Sequence, residues 1–414
     1  MALREIHELG VRAKSASLLV GASSAVVRNE ALEVASDLLM SEASHLLEAN
    51  ASDIEQAQAS GMDATALDRL RLSRERLESM AGGLRTVAGL ADPVGEVIDG
   101  WVQPNGLRIE RVRVPLGVVG VIYENRPNVT SDAAGLCLKA GNAVLLRGSS
   151  SAQRTNSALV GVLRRSLAKV GLPEDGIQLV EDSSHAAAIE FMRLRGLIDC
   201  LIPRGGPALI ASLLEHATVP YVLDGDGNCH VYVDVDADLT MARKIVVNAK
   251  MQRPGVCNAV ETLLVHADVA AELLPGLRKE MASVEWVGDD RVRLLVDDVG
   301  EVTEEDFATE FLSLKLSVAV VDDVNGALEH VARFGSGHSE AIVTNNLTTA
   351  DRFVRGVDAA AVVVNASTRF VDGGELGLGA EVGISTQKLH ARGPMGVREL
   401  TCVKWVIRGE GHVR

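Results

Sequence analysis

The sequence lacks the features that would place it in several large classes of protein. Its apolar runs are all too short to span a bilayer, and residues 1–10 carry charged side chains instead of a signal-peptide core. Acidic residues outnumber basic ones by 56 to 41, which disfavours sequence-independent binding of nucleic acid. The five cysteines are scattered, and no pair has metal-ligand spacing. We therefore expect a cytoplasmic protein with reduced thiols, no metal site, no membrane partner and no nucleic-acid partner.

The Gly-x-Gly-x-x-Gly fingerprint of dinucleotide-binding folds is also absent. Gly117 and Gly120 bracket a predicted strand and do not open a helix, so we interpret them as structural. Any nucleotide must therefore be bound by a different arrangement of the backbone.

The chain has 414 residues, of which 47% are hydrophobic, and this is enough for two or three domains with a large core.

The first part of the chain is predicted to be helical. Apolar residues recur at three- and four-residue spacing through residues 2–91, where Ala, Glu, Arg and Leu are abundant. Residues 50–53 and 60–61 are the predicted breaks. This segment contains no grouping of catalytic or ligand-binding residue types, so we expect its helices to contribute to packing.

The rest of the chain predicts strands in two different settings. Residues 97–113 predict a hairpin around an Asn-Gly turn, and residues 400–408 predict a last strand that would pair with it. Strands alternate with helices over residues 118–216, and a second alternating series covers residues 231–391. This order indicates doubly wound parallel sheets with helices on both faces.

Three predicted strand-to-helix turns carry residues suited to a nucleotide. Parallel strands end at the same edge of a sheet, and ligands bind beyond that edge. A glycine pair that opens a helix presents free N–H groups to a diphosphate. Each turn alone is also an ordinary tight turn, but three at one edge predict a nucleotide site. The turns contain residues 123–128, Arg147 with Ser149 to Ser151, and Arg204 with Gly205 to Pro207.

The most informative segment surrounds Cys257, which lies on a glycine-containing turn before a mostly apolar run. A thiolate attacks a carbonyl carbon and holds the acyl group as a thioester, which is a good hydride acceptor. Taken alone, such a cysteine is more often a small buried hydrophobe. Arg253 either stabilises the thiolate or an acyl phosphate, or it pairs with a surface acid. Among the other thiols, Cys229 is the one to test, and the following are interpreted as core: Cys137, Cys200 and Cys402.

Three segments together resemble the gamma-glutamyl phosphate reductases, a family within the aldehyde dehydrogenase superfamily. They are NAKMQRPGVCN at 248–258, YENRPN at 123–128 and GLGAEVGISTQKLHARGPMG at 377–396, and the similarity extends over essentially the whole chain. The resemblance implies an aldehyde dehydrogenase-like α/β fold, with two doubly wound parallel-sheet domains and a small antiparallel β-flap for oligomerisation. The implied boundaries are 1–96 and 116–229 for an NADP(H)-binding domain, 230–392 for a catalytic domain, and 97–115 and 393–414 for the flap.

The resemblance also implies roles for individual residues. Cys257 is the nucleophile, and its backbone N–H and the Asn125 amide hold the oxyanion. Glu310 matches a glutamate that binds the nicotinamide ribose, and Arg147 lies where the superfamily has a lysine at the adenosine ribose. For Arg126 and His338, a structural or solvent-facing role is the alternative to substrate binding. The full set comprises Cys257, Asn125 and Arg253 for catalysis, Arg147, Ser149, Ser150, Arg204, Gly205, Gly206 and Glu310 for the cofactor, and Arg126, Asn258 and His338 for the substrate.

Two departures from the superfamily pattern refine the expected chemistry. Hydrolytic aldehyde dehydrogenases carry a glutamate that activates water, and residues 221–227 contain none. A thioester then survives until phosphate or hydride reaches it. Residues 147–151 contain no acid that would repel a 2′-phosphate, so we expect NADP(H) as the cofactor.

The predicted reaction is NADPH-dependent reduction of L-glutamyl 5-phosphate to L-glutamate 5-semialdehyde and phosphate through a Cys257 thioester. This is the second step of proline biosynthesis from glutamate. We expect a homodimer or homotetramer and a transient contact with glutamate 5-kinase. The alternatives are a hydrolytic aldehyde dehydrogenase, a non-catalytic scaffold that keeps the fold, and a reductase of a related acyl phosphate such as acetylglutamyl or aspartyl phosphate.

Overall fold

The computed structural model describes residues 2–223 and 225–414, without the side chains of Ala2, Leu3 and Pro207. The chain divides into two compact units. Unit 1 comprises Met1–Asp224, Gly377–Gly383 and Met395–Arg414, and unit 2 comprises Gly225–Leu376 and Ile384–Pro394. The assignment of a cofactor domain, a catalytic domain and an oligomerisation flap remains a prediction.

Many helices begin at a side chain that accepts hydrogen bonds from the first free N–H groups of the helix. Ser24, Ser73 and Asp238 each do so, and Thr303 forms a capping box with Asp306. The helices are α1 (Ala2–Ala22), α2 (Ala25–Ser41), α3 (Ala43–Ala59), α4 (Ala64–Leu70), α5 (Arg74–Gly89), α6 (Pro127–Lys139), α7 (Gln153–Lys169), α8 (His185–Phe191), α9 (Pro207–His216), α10 (Leu239–Met251), α11 (Ala267–Glu280), α12 (Asp290–Leu295), α13 (Glu304–Phe307), α14 (Val324–Phe334) and α15 (Leu347–Gly356).

The central strands of the parallel sheets are short apolar runs, because both of their faces are covered. In β3, β7 and β8 every residue is buried. The strands are β1 (Val97–Val102), β2 (Arg108–Pro115), β3 (Val118–Tyr123), β4 (Ala143–Arg147), β5 (Ile177–Leu179), β6 (Cys200–Arg204), β7 (Cys229–Val233), β8 (Val260–His266), β9 (Glu285–Gly288), β10 (Gly300–Glu301), β11 (Lys315–Val321), β12 (Ser339–Val343), β13 (Ala361–Val364), β14 (Ile384–Ser385), β15 (Gly393–Pro394) and β16 (Thr401–Arg408).

Unit 1 contains a parallel sheet in the order β5-β4-β3-β6. The chain builds outward from β3 to β5 and then returns to place β6 on the other side of β3. This reversal of strand order creates a crevice at the carboxyl ends of β3 and β6. In that register Ile122 lies beside Arg147, and Tyr123 lies beside Arg204.

Unit 2 contains a parallel sheet in the order β10-β9-β11-β8-β7-β12-β13. Its apolar core includes Val231, Val260 and Leu273 on one side, and a second cluster around Tyr232 and Phe353 packs on the other. Two doubly wound sheets are therefore present, as predicted.

Unit 1 also carries the predicted antiparallel sheet, in the order β1-β2-β16. The pairing of the terminal strand with the hairpin is confirmed: Trp405 lies opposite Arg111, and Cys402 opposite Val114. Trp101 and Trp405 meet edge to face, with their ring centroids 5.7 Å apart. Cys402 is exposed on this sheet, so its interpretation as a core residue was wrong.

The predicted break at 50–53 was also wrong, because α3 continues through it. The polar side chains there serve other segments. The Asn50 amide donates to the Leu70 carbonyl at 2.9 Å and accepts from the Leu72 N–H at 2.8 Å. Asp53 accepts from the N–H and the hydroxyl of Thr155. Polar residues that look like a helix break thus hold a neighbouring turn and helix.

Within residues 2–223 and 225–414, every helix is too short or too polar to cross a bilayer. Among the same residues, no group of three or more His, Cys, Asp or Glu side chains is arranged to hold a metal ion.

Candidate active site

The three nucleotide-suited turns lie at one edge of the unit 1 sheet, as predicted. They follow β3, β4 and β6, which run parallel with adjacent registers. A cavity of about 360 Å³ opens at this edge. Its lining includes Glu124, Arg147, Ser149, Ser150, Leu209 and Ser212.

Arg147, the last residue of β4, is held in this cavity by backbone carbonyls. One terminal nitrogen donates to the Ser183 and Ser184 carbonyls, at 2.8 and 3.0 Å. Its Nε is buried and has no hydrogen-bond partner among the described residues. Burial lowers the pKa of the Arg147 guanidinium, and the nearby Asp182 carboxylate acts in the opposite direction. An anion placed here would offset the burial of this charge.

The turn after β6 delivers a helix N-terminus to the same edge. Gly206 precedes α9, and its N–H donates to the Glu124 carboxylate at 3.1 Å. The start of α9 therefore already attracts a negative group, as expected for an anion-binding N-terminus. A Cβ on Gly205 would lie 2.8 Å from the end of the Glu124 side chain, so the backbone there is closely approached.

Asn125, the predicted oxyanion donor, lies in the turn between β3 and α6. Its amide nitrogen lies 3.4 Å from the Met62 sulfur, and its amide oxygen accepts a hydrogen bond from the Ser151 hydroxyl. Ser149 in turn pairs with Ser151 at 2.8 Å. The turns after β3 and β4 are thus joined through Asn125.

Two further arginines of unit 1 flank these turns. Arg126 is exposed and precedes α6. Arg204 ends β6, and its charge acts on Asp132, whose pKa is raised to about 6 mainly by burial. The hydrogen bonds from Asn128 and Ser131 and the charge of Arg204 oppose that rise.

Cys257 lies in unit 2, on the turn that joins α10 to β8. The residue is partly exposed, whereas Asn258 beside it is buried. The Asn258 amide donates to the Val371 carbonyl at 2.9 Å, and the Thr368 hydroxyl donates to the Asn258 carbonyl at 2.7 Å. Asn258 therefore holds the turn by its backbone and its side chain, which favours a structural contribution beside its predicted contact with substrate.

A second thiol, that of Cys229, supports the turn that carries Cys257. The fully buried Cys229 donates through Sγ to the Cys257 carbonyl at 3.1 Å, and Sγ lies 3.7 Å from His338 Nδ1. Burial raises the pKa of the Cys229 thiol far above its usual value, so this thiol stays protonated. Burial also lowers the pKa of His338 to about 4, so its imidazole is neutral near pH 7. Cys229 is therefore a poor nucleophile in the native protein.

Glu310 is connected through Gly227 to the turn that carries Cys257. Its carboxylate accepts the Gly227 N–H at 2.9 Å. A Cβ on Gly227 would overlap the carbonyl of Cys257, so only a glycine fits between the two segments. Asp224, in the segment that lacks a water-activating glutamate, lies outside the described residues.

A buried ion pair contacts the loop that carries Glu310. Lys250 on α10 and Glu261 on β8 are 2.5 Å apart, and neither side chain is exposed. Glu261 also accepts the Leu312 N–H at 3.3 Å, in a loop where Leu312 has a left-handed φ of 51°. Burial raises the pKa of Glu261 to about 7, and Lys250 opposes that rise. The pair thus anchors the loop that carries Glu310.

Comparison with known proteins decides the family. The model of the aldehyde dehydrogenase family matches residues 5–314 of this chain. The gamma-glutamyl phosphate reductase of Heliobacterium modesticaldum is 53% identical over 412 residues, and the match covers 99% of both chains. The reductase of the same name from Caldanaerobacter subterraneus subsp. tengcongensis is 51% identical, over 99% of this chain and 100% of that one. The crystal structure of gamma-glutamyl phosphate reductase from Thermotoga maritima covers 100% of both chains, with 45% identity and a TM-score of 0.97.

The chain belongs to the aldehyde dehydrogenase family, within its gamma-glutamyl phosphate reductases. It is therefore an enzyme, an oxidoreductase of that family. The fold predicted from the resemblance is confirmed, including the two parallel sheets and the small antiparallel sheet.

Two charged residues near the family's candidate site were missed at the level of sequence. Arg369 lies in the segment stapled to Asn258, and its Nε donates to Gln252 at 2.8 Å. Asp182, whose pKa is lowered by the backbone and side chain of Ser184, lies close enough to Arg147 to act on its charge. Neither lies within one of the three motifs, so only the fold reveals them.

Proposed function

We propose that this chain reduces L-glutamyl 5-phosphate to L-glutamate 5-semialdehyde and phosphate with NADPH, in the second step of proline biosynthesis. The observation that carries the proposal is the full-length identity of about half to enzymes named gamma-glutamyl phosphate reductase. Glutamate-5-semialdehyde dehydrogenase activity in proline biosynthesis follows from that similarity.

Cys257 is the proposed nucleophile because it is the partly exposed thiol on a turn fixed at several points. Its Sγ bonds to the acyl carbon, and the bond from that carbon to the phosphate oxygen breaks, with the electron pair leaving on phosphate. The backbone N–H of Cys257 is proposed to hold the oxyanion that forms in between. Asn125 is assigned as the second donor on the family resemblance alone.

Reduction of the thioester completes the proposed reaction. NADPH, when bound, supplies the hydride. The hydride leaves an alkoxide on the tetrahedral carbon, and the carbonyl re-forms from that oxygen as the carbon–sulfur bond breaks, which releases the aldehyde and restores the Cys257 thiolate. Glu310 is proposed to orient the nicotinamide ribose, since its carboxylate is held beside the nucleophile turn by Gly227.

The residues at the unit 1 edge fit a nucleotide that carries phosphate groups. The buried Nε of Arg147 has no partner among the described residues, and Ser149 and Ser150 line the same cavity. We propose that Arg147 and these hydroxyls bind the adenosine end of NADP(H). Gly205 and Gly206, at the start of α9, are proposed to meet the diphosphate, with Arg204 alongside.

The remaining proposals concern the substrate and the assembly. Arg253 and Arg126 are proposed to contact the substrate, because an anionic phosphate beside the nucleophile needs a cation. His338 is fully buried against Cys229, which favours the structural alternative over a contact with substrate. The antiparallel sheet exposes Val102, Trp405 and Ile407, which supports its proposed role as a contact between copies in a homodimer or homotetramer. A transient contact with glutamate 5-kinase and a cytoplasmic location are proposals of the same kind.

Replacement of the nucleophile tests the function directly. Cys257→Ser is expected to lower kcat for semialdehyde oxidation by about 1000-fold or more, because a hydroxyl is a far weaker nucleophile than a thiolate. The dissociation constant for NADPH should stay within about threefold of wild type, because the thiol does not bind the nucleotide. Steady-state assays and fluorescence titration measure the two quantities.

The matched control is Cys402→Ser, at an exposed thiol on the antiparallel sheet. It should keep the wild-type rate. Normal turnover by Cys257→Ser, or the lack of any acylated peptide containing Cys257 in mass spectra of quenched reactions, would refute the proposed mechanism.

A further inference from the structure

A second arginine is held against the nucleophile turn. We propose that Arg369 binds the phosphate group of the acyl-phosphate substrate, together with Arg253, and stabilises the phosphate as it leaves. This inference rests on the proposed function and adds a substrate-binding residue to it. No motif in the sequence pointed to Arg369.

The position of Arg369 is fixed from both sides of Cys257. Upstream, its Nε donates to Gln252 Oε1 at 2.8 Å, and Gln252 directly precedes Arg253. Downstream, the Thr368 hydroxyl donates to the Asn258 carbonyl at 2.7 Å, and Asn258 directly follows the nucleophile. Hydrogen bonds thus join the short helical turn at 368–370 to residues on either side of Cys257.

This attachment orients the guanidinium for an anion. Among the hydrogen bonds described for its side chain, Arg369 makes the one through Nε, and its terminal nitrogens take no part in it. A guanidinium presents parallel N–H donors that match two oxygens of a phosphate. The Gln252 bond therefore fixes the side chain while its terminal donors remain suited to a ligand.

The charges around Arg369 also favour a ligand with more than one negative charge. Burial lowers its pKa most strongly, and the nearby Asp372 raises it. Arg253 lowers it further by like-charge repulsion, while Cys257 and Glu375 raise it. Asp372 is partly engaged, because it accepts the Gly374 N–H at 2.9 Å. Two cations near one thiol repel each other until an anion lies between them.

The chemistry of the substrate identifies that anion as the phosphate. In an acyl phosphate, one bridging oxygen separates phosphorus from the carbon that Sγ attacks. The α-carboxylate of a glutamyl group lies at the far end of the carbon chain. A cation beside Cys257 therefore meets the phosphate, and it stabilises the oxygen that takes the electron pair when the carbon–oxygen bond breaks.

The test uses the oxidative direction, with inorganic phosphate as the varied substrate beside semialdehyde and NADP+. Arg369→Gln is expected to raise KM for phosphate by about 10- to 100-fold, because it removes charge-assisted hydrogen bonds. KM for the semialdehyde should stay within about threefold, because the phosphate site is separate from the carboxylate. Arg369→Lys keeps the positive charge but loses the paired N–H donors of the guanidinium. Its KM for phosphate should therefore lie between those of the wild type and Arg369→Gln.

Two further variants separate binding from structure. Gln252→Leu removes the bond to Nε and leaves the guanidinium in place, so a rise of about threefold in KM for phosphate is expected. Arg355→Gln, on the exposed face of α15, is the matched control and should change neither constant. If Arg369→Gln fails to fold by calorimetry, Arg369→Lys and Gln252→Leu still decide the matter.

The outcomes distinguish this inference from the proposed function. NADPH production by the wild type without phosphate would refute phosphate transfer itself, whatever Arg369 does. Saturation of the wild type by phosphate, with an unchanged KM in Arg369→Gln, would refute the role of Arg369 alone. A rise in KM for the semialdehyde instead would assign Arg369 to the substrate carboxylate and overturn the proposal.

Discussion

The proposed cofactor edge of unit 1 and the turn of unit 2 that carries Cys257 are supported in different ways. At the unit 1 edge, Arg147 and Asn125 contact neighbouring loops, and the residues that line the cavity are in part exposed. In unit 2, the turn with Cys257 is held by the buried side chains of Cys229 and Asn258. The first arrangement can adjust to a ligand by moving side chains, whereas the second fixes the backbone.

This difference fits what the proposed function requires of each region. A nucleotide site gains from charged groups that are partly exposed and respond to an anion. A nucleophile must be held within a fraction of an ångström of its productive position, which calls for a buried and fully connected support. Substitutions in the two regions should therefore differ in the size and the kind of their effects.

The largest effect is expected from Lys250→Met in unit 2. Loss of the ammonium leaves Glu261 buried without its partner, which costs about 3–5 kcal/mol of folding free energy near pH 8. The pKa of Glu261 is already raised to about 7 by burial, and removal of Lys250 raises it further. A carboxyl with a raised pKa stabilises the fold below its unfolded pKa and loses that contribution as pH rises through the folded pKa.

The Lys250→Met variant should therefore approach wild-type stability near pH 5 and fall below it progressively toward pH 8. Thermal unfolding at several pH values measures this. The double variant Lys250→Met with Glu261→Gln removes the titrating group and should lose the pH dependence. A destabilisation of Lys250→Met that is equal at all pH values would contradict the role of the ion pair.

The second comparison sets two glycines against each other. Gly227→Ala places a Cβ on the Cys257 carbonyl, so the turn must shift, and we expect about a 100-fold loss of kcat/KM. Gly205→Ala meets the movable ends of Glu124 and Leu209, so a smaller rise in KM for NADPH is expected. Steady-state kinetics of both variants tests whether unit 2 is the rigid region, and equal losses would refute that view.

The smallest effect is expected from Asp182→Asn in unit 1. Removal of this carboxylate near Arg147 should favour a 2′-phosphate and lower KM for NADPH by about two- to fivefold, which is the size of an exposed charge interaction. KM for NADH, which lacks that phosphate, should stay the same. Parallel kinetics with both cofactors checks this, and an equal change for NADH would remove Asp182 from cofactor selection.

The local patterns in the sequence predicted most of the fold. The helical segment predicted over residues 2–91 contains α1 to α5, and the last strand predicted at 400–408 is β16 (Thr401–Arg408). These elements are apolar runs or capped helices whose pattern is local. The break at 50–53 was wrong because Asn50 and Asp53 bind segments that follow much later in the chain.

The candidate site divides in the same way. Cys257 is found from its residue type and from its turn before a strand, and the turns at the unit 1 edge are found from their position after strands. Arg369, Asp182 and Glu261 are ordinary charged residues outside the motifs, and Lys250, although inside the motif around Cys257, shows no special feature until it is paired with Glu261. Their importance depends on burial and on distance.

The sequence by itself determined the kinds of element and the family, and it singled out Cys257 as the candidate nucleophile, because these depend on local periodicity and on long contiguous motifs. The tertiary structure decided which charges surround that nucleophile and which groups hold its turn in place. Electrostatic and hydrogen-bond energies depend on distance and burial, and those quantities exist once the distant segments have packed together.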